Sequence, residues 1–260
     1  MPSRSISFDL ARLRAGLKPF RLHWFPRLRS TNDHAVALRA RGELYAPAVV
    51  LTGHQTAGRG RGGNAWWSGR GSVTATFAFP IDDALSPPQL PLLAGLAVRD
   101  AAAELIGDDG VQLKWPNDLL YDGRKLAGLL CERAHKVDLV GVGLNVNVAA
   151  ADVPRPLRDR VTSLQMLSGR TTDLSTAVAI VASHLHRTLT RRREQSFAQA
   201  LRAYDRHHAL VGRRVRVDPG GSEPAIQGRC EGLDATGRLL LRDGGTLHRV
   251  IAGHVTLLDA

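Results

Sequence analysis

The stretch Gly53-His54-Gln55-Thr56-Ala57-Gly58-Arg59-Gly60-Arg61-Gly62-Gly63-Asn64-Ala65-Trp66-Trp67 decides how the chain is read. Glycine is dense around it, with seven between Gly53 and Gly71. Glycines let backbone amides approach an anion closely. Arg59 and Arg61 add forked donors suited to phosphate or carboxylate, each charged hydrogen bond being worth roughly 1.5–3 kcal/mol. The segment is not a Walker loop, because no Gly-Lys-Ser/Thr follows. It is not a dinucleotide-binding turn either, because it leads into aromatics and a strand rather than a helix. Two plainer readings stand beside the anion-binding one: a mobile surface loop, or an RGG-like RNA-binding tract. The RNA reading is weakened because the element occurs once and lies between two apolar runs.

Those runs are residues 47–52, which read as a buried strand, and 72–79, which read as the next one. Upstream, Ser30-Thr31-Asn32-Asp33 ahead of Ala35, Val36 and Leu38 is a capped helix start. Downstream, residues 89–106 have a helical period, with Pro91 near the start and Gly107 at the stop. Residues 111–115 are a short strand. Residues 119–121 and 125–132 flank Asp122-Gly123, a strong hairpin turn signal. Residues 137–148 are strand-like and interrupted by glycine. Residues 172–193 and 196–210 are helical by period and frame Arg191-Arg192-Arg193, read as a solvated helix end. From 213 to 259, short Val/Leu/Ile runs alternate with turns at Pro219-Gly220-Gly221, Asp234-Ala235-Thr236-Gly237 and Asp243-Gly244-Gly245. Such spacing suggests a barrel of about 50 residues. The expectation is therefore an α+β unit over residues 1–210 and a small barrel over 211–260.

Three further segments carry candidate chemistry. Lys114-Trp115-Pro116-Asn117-Asp118 brings a cation, an amide and a carboxylate to one strand end. That suits a metal-bound polyphosphate, and the plain reading is a turn. Gly123-Arg124-Lys125-Leu126-Ala127-Gly128 places Lys125 after the hairpin turn, with Gly128 permitting close backbone approach; an exposed hairpin lysine is the plain alternative. Gly141-Val142-Gly143-Leu144-Asn145-Val146-Asn147 has glycines inside a strand, marking either a ligand against the backbone or a packing need. The histidines lack metal-ligand spacing, and no nucleophile triad is visible.

Length and composition bound the answer. The chain has 260 residues, 43% hydrophobic and 23% charged, an ordinary globular make-up that excludes disordered and collagen-like classes. Cys131 and Cys230 cannot make a disulfide framework, which fits a reducing compartment. No signal peptide and no stretch near the ~20 apolar residues of a spanning helix is present, so a cytoplasmic location is expected. The formal charge of +11 invites a nucleic-acid partner. Yet it comes from 31 Arg and only 4 Lys, a bias resembling base composition more than a designed patch. Of the four lysines, Lys114 and Lys125 sit inside the segments already singled out.

Taken in order, these segments resemble the biotin protein ligases. The likeness rests on Ser30-Thr31-Asn32, Gln55 through Arg61, Trp66, Lys114 through Asp118, Arg124 through Gly128 and Gly141 through Asn145. It spans roughly residues 28–150, continuing more loosely through Thr162-Ser163-Leu164 to the C-terminus. The resemblance implies a mixed-sheet catalytic domain followed by an SH3-like barrel. It implies an ATP-dependent ligase that forms biotinyl-5′-AMP and passes biotin to a lysine of a carrier domain, such as that of acetyl-CoA carboxylase.

By the family's pattern, Ser30, Thr31, Asn32 and Gln55 lie at the biotin ring. Arg59, Gly60 and Arg61 belong to a loop over the acyl-adenylate and count among the biotin-binding residues, as do Lys125 and Gly128. Arg61 and Lys125 are the expected catalytic cations. Arg59, Arg61, Lys114, Trp115, Asn117 and Asn145 would serve ATP, with Asn117 and Asp118 as candidate Mg²⁺ ligands and no tightly held metal. Two departures stand out. Asn64 and Ala65 occupy positions that are usually basic in the family. The 29 residues before Ser30 are too few for a helix-turn-helix domain, so no operator binding is expected. Homodimerisation is left open. Lipoate–protein ligase, which shares the fold and the adenylation logic, is the related enzyme reading. An Arg-rich nucleic-acid module, with salt-sensitive binding and no need of ATP, is the reading from another class.

Overall fold

The computed structural model describes residues 8–190, 196–221 and 223–258. The run Arg191-Arg192-Arg193 lies outside the described residues. The elements are α1 (Leu10–Gly16), β1 (Arg21–Phe25), α2 (Thr31–Ala40), β2 (Ala48–Thr52), β3 (Gly58–Arg59), β4 (Ala65–Trp66), β5 (Ser72–Pro80), α3 (Leu90–Ile106), β6 (Gln112–Lys114), β7 (Asp118–Tyr121), β8 (Arg124–Ala134) and β9 (Val137–Asn145). There follow α4 (Leu164–Ser168), α5 (Leu174–Thr190), α6 (Phe197–Arg206), β10 (Arg214–Asp218), β11 (Ile226–Leu233), β12 (Leu239–Asp243), β13 (Thr246–Val250) and β14 (His254–Leu257). Every segment read from the sequence has its element. The glycine-dense stretch differs, because it folds into the small hairpin β3–β4 rather than a loop without strands.

Seven strands form one sheet in the order β1-β2-β5-β9-β8-β7-β6. Only β1 and β2 run parallel; the other neighbours are antiparallel. Alternation along the strands sorts side chains to two faces. Val49, Leu51, Val73, Ala75, Phe77, Val140, Val142 and Leu144 join the main core with α3 and α5. Ala48, Val50, Ala78 and Leu139 pack instead with Ala35 and Leu38 of α2. The helix α2 covers only part of that second face, and the uncovered part carries Thr74, Gly128, Gly141 and Gly143, which border an open cavity.

Local chemistry sets the ends of these elements. The Ser30 hydroxyl accepts from the Asp33 amide and caps α2, a contact worth about 0.5–2 kcal/mol. Gly107 takes a left-handed φ of 76° and closes α3. Asp122 and Gly123 both have positive φ, 47° and 72°, the twist that a two-residue hairpin needs.

The five C-terminal strands form an antiparallel sheet in the order β13-β12-β11-β10-β14, the SH3-like arrangement expected. The residues that lead into it are bonded to the larger sheet. Leu113 of β6 donates to His207 O at 2.7 Å and accepts from Ala209 N at 2.8 Å. Val215, Val217, Leu239 and Leu241 belong to the same core as the α3 and α5 side chains. The indole of Trp115, 2% exposed, donates to Gly237 O at 3.1 Å.

Glycines 128 and 143 are register partners on β8 and β9, and the Trp66 indole lies on them. A Cβ at Gly143 would stand 2.3 Å from the Trp66 ring, and one at Gly128 2.9 Å. Gly143→Ala should therefore act as overpacking, costing about 1–3 kcal/mol and lowering Tm by roughly 2–10 °C. Gly245→Ala meets open space at an ordinary φ and should shift Tm by no more than about 1 °C. Thermal melts of the two variants beside the parent check this.

Candidate active site

A cavity of about 490 Å³ lies where the uncovered sheet face meets the β3–β4 hairpin, the β6–β7 turn and the C-terminal sheet. Its size is ordinary for a small-molecule site. Ser30, Thr31, Asn32, Gln55, Arg59, Gly60, Arg61, Lys114, Trp115, Asn117, Asp118, Lys125 and Gly128 all line it, although they come from separate stretches of chain.

One end is polar and uncharged. The start of α2 brings Ser30, Thr31 and Asn32 inward, because the cap at Ser30 fixes where the helix begins. Gln55 Oε1 accepts from the Thr31 amide at 2.9 Å. The Thr76 hydroxyl on β5 lies 2.9 Å from Thr31 Oγ1 and 2.6 Å from Asn32 Oδ1. Asn32 Nδ2 donates to Leu130 O at 3.1 Å and to Glu132 at 2.8 Å. Gly141 has no side chain because Asn32 Oδ1 would lie 2.2 Å from its Cβ. The amides of Asn32 and Gln55 are thus oriented by the fold before any ligand arrives. Gln55 Nε2 has no hydrogen-bond partner among the described residues and remains available.

The other end is cationic. Arg61 reaches Asn117 Oδ1 at 3.4 Å. Burial draws its pKa below the usual arginine value, against the opposing charge of Asp118. Lys125 Nζ pairs with Asp118 Oδ1 at 2.7 Å and lies 5.3 Å from the Trp66 ring centroid, a cation–π distance. Lys114 is depressed chiefly by burial. Asp118 opposes the shift, and the nearby charges of Lys125 and Arg160 add to it. A bound anion would relieve all of these strains at once.

Lys125 faces the cavity because of a β-bulge. The β7–β8 register shifts between Leu119 and Leu120, so that Leu119 faces Ala127 while Leu120 faces Lys125. Leu126 and Ala127 both enter the core, and Lys125 lands on the same face as Gly128. Strict alternation would have placed it with Ala127. The backbone groups of Lys125 are met elsewhere: its N–H donates to Arg160 O at 2.7 Å and its C=O accepts from Thr162 N at 3.0 Å.

Some candidate residues stand differently from the sequence reading. Asn145 does not line the cavity. It is 2% exposed, and its amide donates to Thr162 O at 3.1 Å and Lys125 O at 3.5 Å. It braces the Lys125 bulge, so its reach towards a nucleotide is taken up by backbone carbonyls. Trp115 lines the cavity, but its indole is directed to Gly237. The Arg59 guanidinium pairs with both Asp33 and Glu132, so its charge is offset and it fastens the hairpin to α2 and β8. Asn117 donates to Leu129 O at 2.7 Å, which turns its Oδ1 towards Arg61 and the cavity. Among the described residues no cluster of three or more His, Cys, Asp or Glu could hold a metal. Burial pushes the Cys131 thiol up to about 12 and that of Cys230 to about 11, so neither is a nucleophile near neutrality.

The sequence reading missed Arg160 and the C-terminal contribution. Asp218, Pro219 and Gly220 from the β10–β11 turn and Ala252, Gly253 and His254 from the β13–β14 turn border the cavity. The turn signals marked these as loops, but nothing local says which way a loop faces.

Comparison with known proteins bears on the same residues. The model of the biotin/lipoate A/B protein ligase family matches residues 24–148. A biotin–[acetyl-CoA-carboxylase] ligase of Mycobacterium tuberculosis is 38% identical over 240 residues, covering 88% of this chain and 86% of its own. The enzyme of that name from Paracoccus denitrificans is 32% identical, covering 82% and 92%. Among solved structures, the biotin protein ligase of Aquifex aeolicus in complex with biotin and ATP superposes with a TM-score of 0.81 at 27% identity, covering 92% of this chain and 99% of that one. The Leishmania major ligase in complex with biotinyl-5-AMP gives 0.65 at 27%, covering 93% and 100%. Likeness at this level over nearly the full length of both partners shows that the chain belongs to the biotin protein ligase family.

Proposed function

We propose that this chain joins biotin to ATP, releasing pyrophosphate, and then passes biotin from biotinyl-5′-AMP to a lysine of a biotin carrier domain. The observation that carries the reading is one continuous cavity with an uncharged polar end and a cationic end. That is the division the reaction requires. The ureido ring wants donors and acceptors without charge, supplied by Ser30, Thr31 and Gln55, with Asn32 holding their geometry. The carboxylate and the α-phosphate are both anions, and two unit charges about 4 Å apart repel by about 4 kcal/mol at an effective dielectric of 20. Arg61 and Lys125 lie where they can offset that repulsion, which is catalysis by electrostatics and positioning.

In the first step a biotin carboxylate oxygen forms a bond to the α-phosphorus, and the bond to pyrophosphate breaks with its electron pair. In the second, the neutral amine of the carrier lysine attacks the acyl carbon. The C–N bond forms, AMP leaves with the C–O electron pair, and the amine proton passes to solvent. No residue of this chain is acylated, because the adenylate is itself the activated species. Lys114 and Asn117 would hold the polyphosphate. Mg²⁺ enters with the nucleotide as part of the substrate, and Asn117 Oδ1 and Asp118 are the oxygens on hand for it. In this reading residues 1–210 carry the chemistry, and residues 211–260 wall the mouth of the site.

The acceptor is read as the biotin carrier of acetyl-CoA carboxylase, as the names of the Mycobacterium tuberculosis and Paracoccus denitrificans relatives suggest. No helix among the described residues is long and apolar enough to cross a membrane, which fits work on a soluble acceptor in the cytoplasm.

ATP–pyrophosphate exchange that requires biotin is the expected result; exchange supported by lipoate alone would sink the proposal. Lys125→Ala should lower biotin-dependent exchange by about 10²–10³-fold with an unchanged circular-dichroism spectrum, whereas a role in nucleic-acid binding would leave exchange untouched. The excess of positive charge should also steer an acidic carrier domain. Its KM should rise with salt while the exchange reaction changes little; a carrier KM flat from low to high salt would remove the steering role.

A further inference from the structure

The hairpin over the cavity offers fewer free cations than its sequence suggests. Arg59 is held by two carboxylates, and positions 64 and 65 are Asn and Ala. Asn64 acts locally, donating from Nδ2 to Arg61 O at 2.9 Å and closing the hairpin turn. Arg61 is therefore the hairpin's one unneutralised cation among the described residues.

A second cation comes from Arg160, a residue just ahead of Thr162-Ser163-Leu164 that neither periodicity nor motif singled out. Residues 160–162 run beside the Lys125 bulge as a one-residue parallel bridge between Lys125 and Val161. The bridge is held by the 2.7 Å and 3.0 Å backbone bonds to Lys125 and by Asn145 donating to Thr162 O. This pins the backbone of Arg160 while its side chain remains exposed at the cavity mouth. No carboxylate pairs with Arg160 among the described residues, and its charge acts on Lys114. The charged groups facing this corner are Lys114, Lys125, Arg160 and Arg61 against Asp118, already paired with Lys125, and Asp218 across the mouth. The corner carries an excess of positive charge that only an anion can balance.

We propose that Arg160 is an additional binding residue for the polyphosphate of the nucleotide, sharing it with Lys114. The proposal rests on the adenylation reading above. A guanidinium is chemically suited to this role, because it stays charged beside another cation and presents paired donors to phosphate oxygens. An exposed side chain on a pinned backbone can swing onto an incoming ligand without disturbing the core.

The test is the biotin-dependent ATP–pyrophosphate exchange of Arg160→Ala and Arg160→Lys beside the parent. Arg160→Ala should raise KM for ATP and for pyrophosphate by about 5- to 20-fold, below the ceiling for a buried charged contact. KM for biotin should stay within about twofold, and Tm within about 2 °C because the side chain is exposed. Arg160→Lys should recover part of the loss. An ATP KM within twofold of the parent in Arg160→Ala overturns the proposal. So does an equal rise for ATP and biotin, which would mark a structural role, and so does a rise confined to the carrier KM in a separate biotin-transfer assay, which would make Arg160 a docking residue. Absence of biotin-dependent exchange in the parent would instead strike the adenylation reading. Calorimetry with Mg²⁺-ATP alone then decides Arg160, an unchanged Kd in Arg160→Ala counting against it.

Discussion

The Trp66 indole lying on bare backbone at Gly128 and Gly143 is the contact on which the rest of the site depends. It seats the β3–β4 hairpin on the sheet and places Lys125 within cation–π distance of the ring. It also fixes where Arg61 hangs over the cavity. The contact exists because two register-paired strands both lack a side chain at one level. Backbone exposed in this way is normally a cost to a sheet. Here the indole and a ligand-sized space fill the room that two side chains would occupy.

Charge follows the same logic. The uncharged end is oriented by a hydrogen-bonded relay from Gln55 through Thr31 and Thr76 to Asn32 and Glu132. Glu132 then meets Arg59, so one network both shapes the polar end and fastens the hairpin. At the other end the cations outnumber their partners. Burial works against Lys114 and Arg61, so the site is electrostatically unsatisfied in the direction an anionic ligand would correct. That imbalance would be poor design for a structural core and is sound design for a site that must hold carboxylate and phosphate together. The net charge of +11 therefore says less than the few cations with no carboxylate of their own.

The C-terminal sheet is fused to the larger sheet rather than tethered to it. Backbone bonds from Leu113 to the lead-in at His207 and Ala209, the Trp115 indole on Gly237 and a shared core tie the two together. The tie runs through the stretch that carries Lys114 and Asn117, so the cationic corner of the cavity is braced by residues far away in the chain.

Much was legible in the chain itself. Alternation and turn chemistry placed the strands, as at Asp122-Gly123, and the cap at Ser30 placed α2, because these are local preferences that act over a few residues. The order and spacing of Ser30–Asn32, Gln55–Arg61, Lys114–Asp118 and Lys125–Gly128 marked the polar and cationic groups of one wall of the cavity, and left out Arg160 and the C-terminal turns that complete it. What only the tertiary structure decided is direction. A bulge at Leu126 turned Lys125 from the core face to the cavity, since one extra residue inverts a period of two. Burial gave the Asn145 amide to backbone carbonyls and the Trp115 indole to Gly237. Pairing gave Arg59 to Asp33 and Glu132, and a single backbone bridge brought Arg160 to the mouth. Each of these outcomes depends on which groups from distant segments arrive at the same place, and local sequence carries no record of the partner.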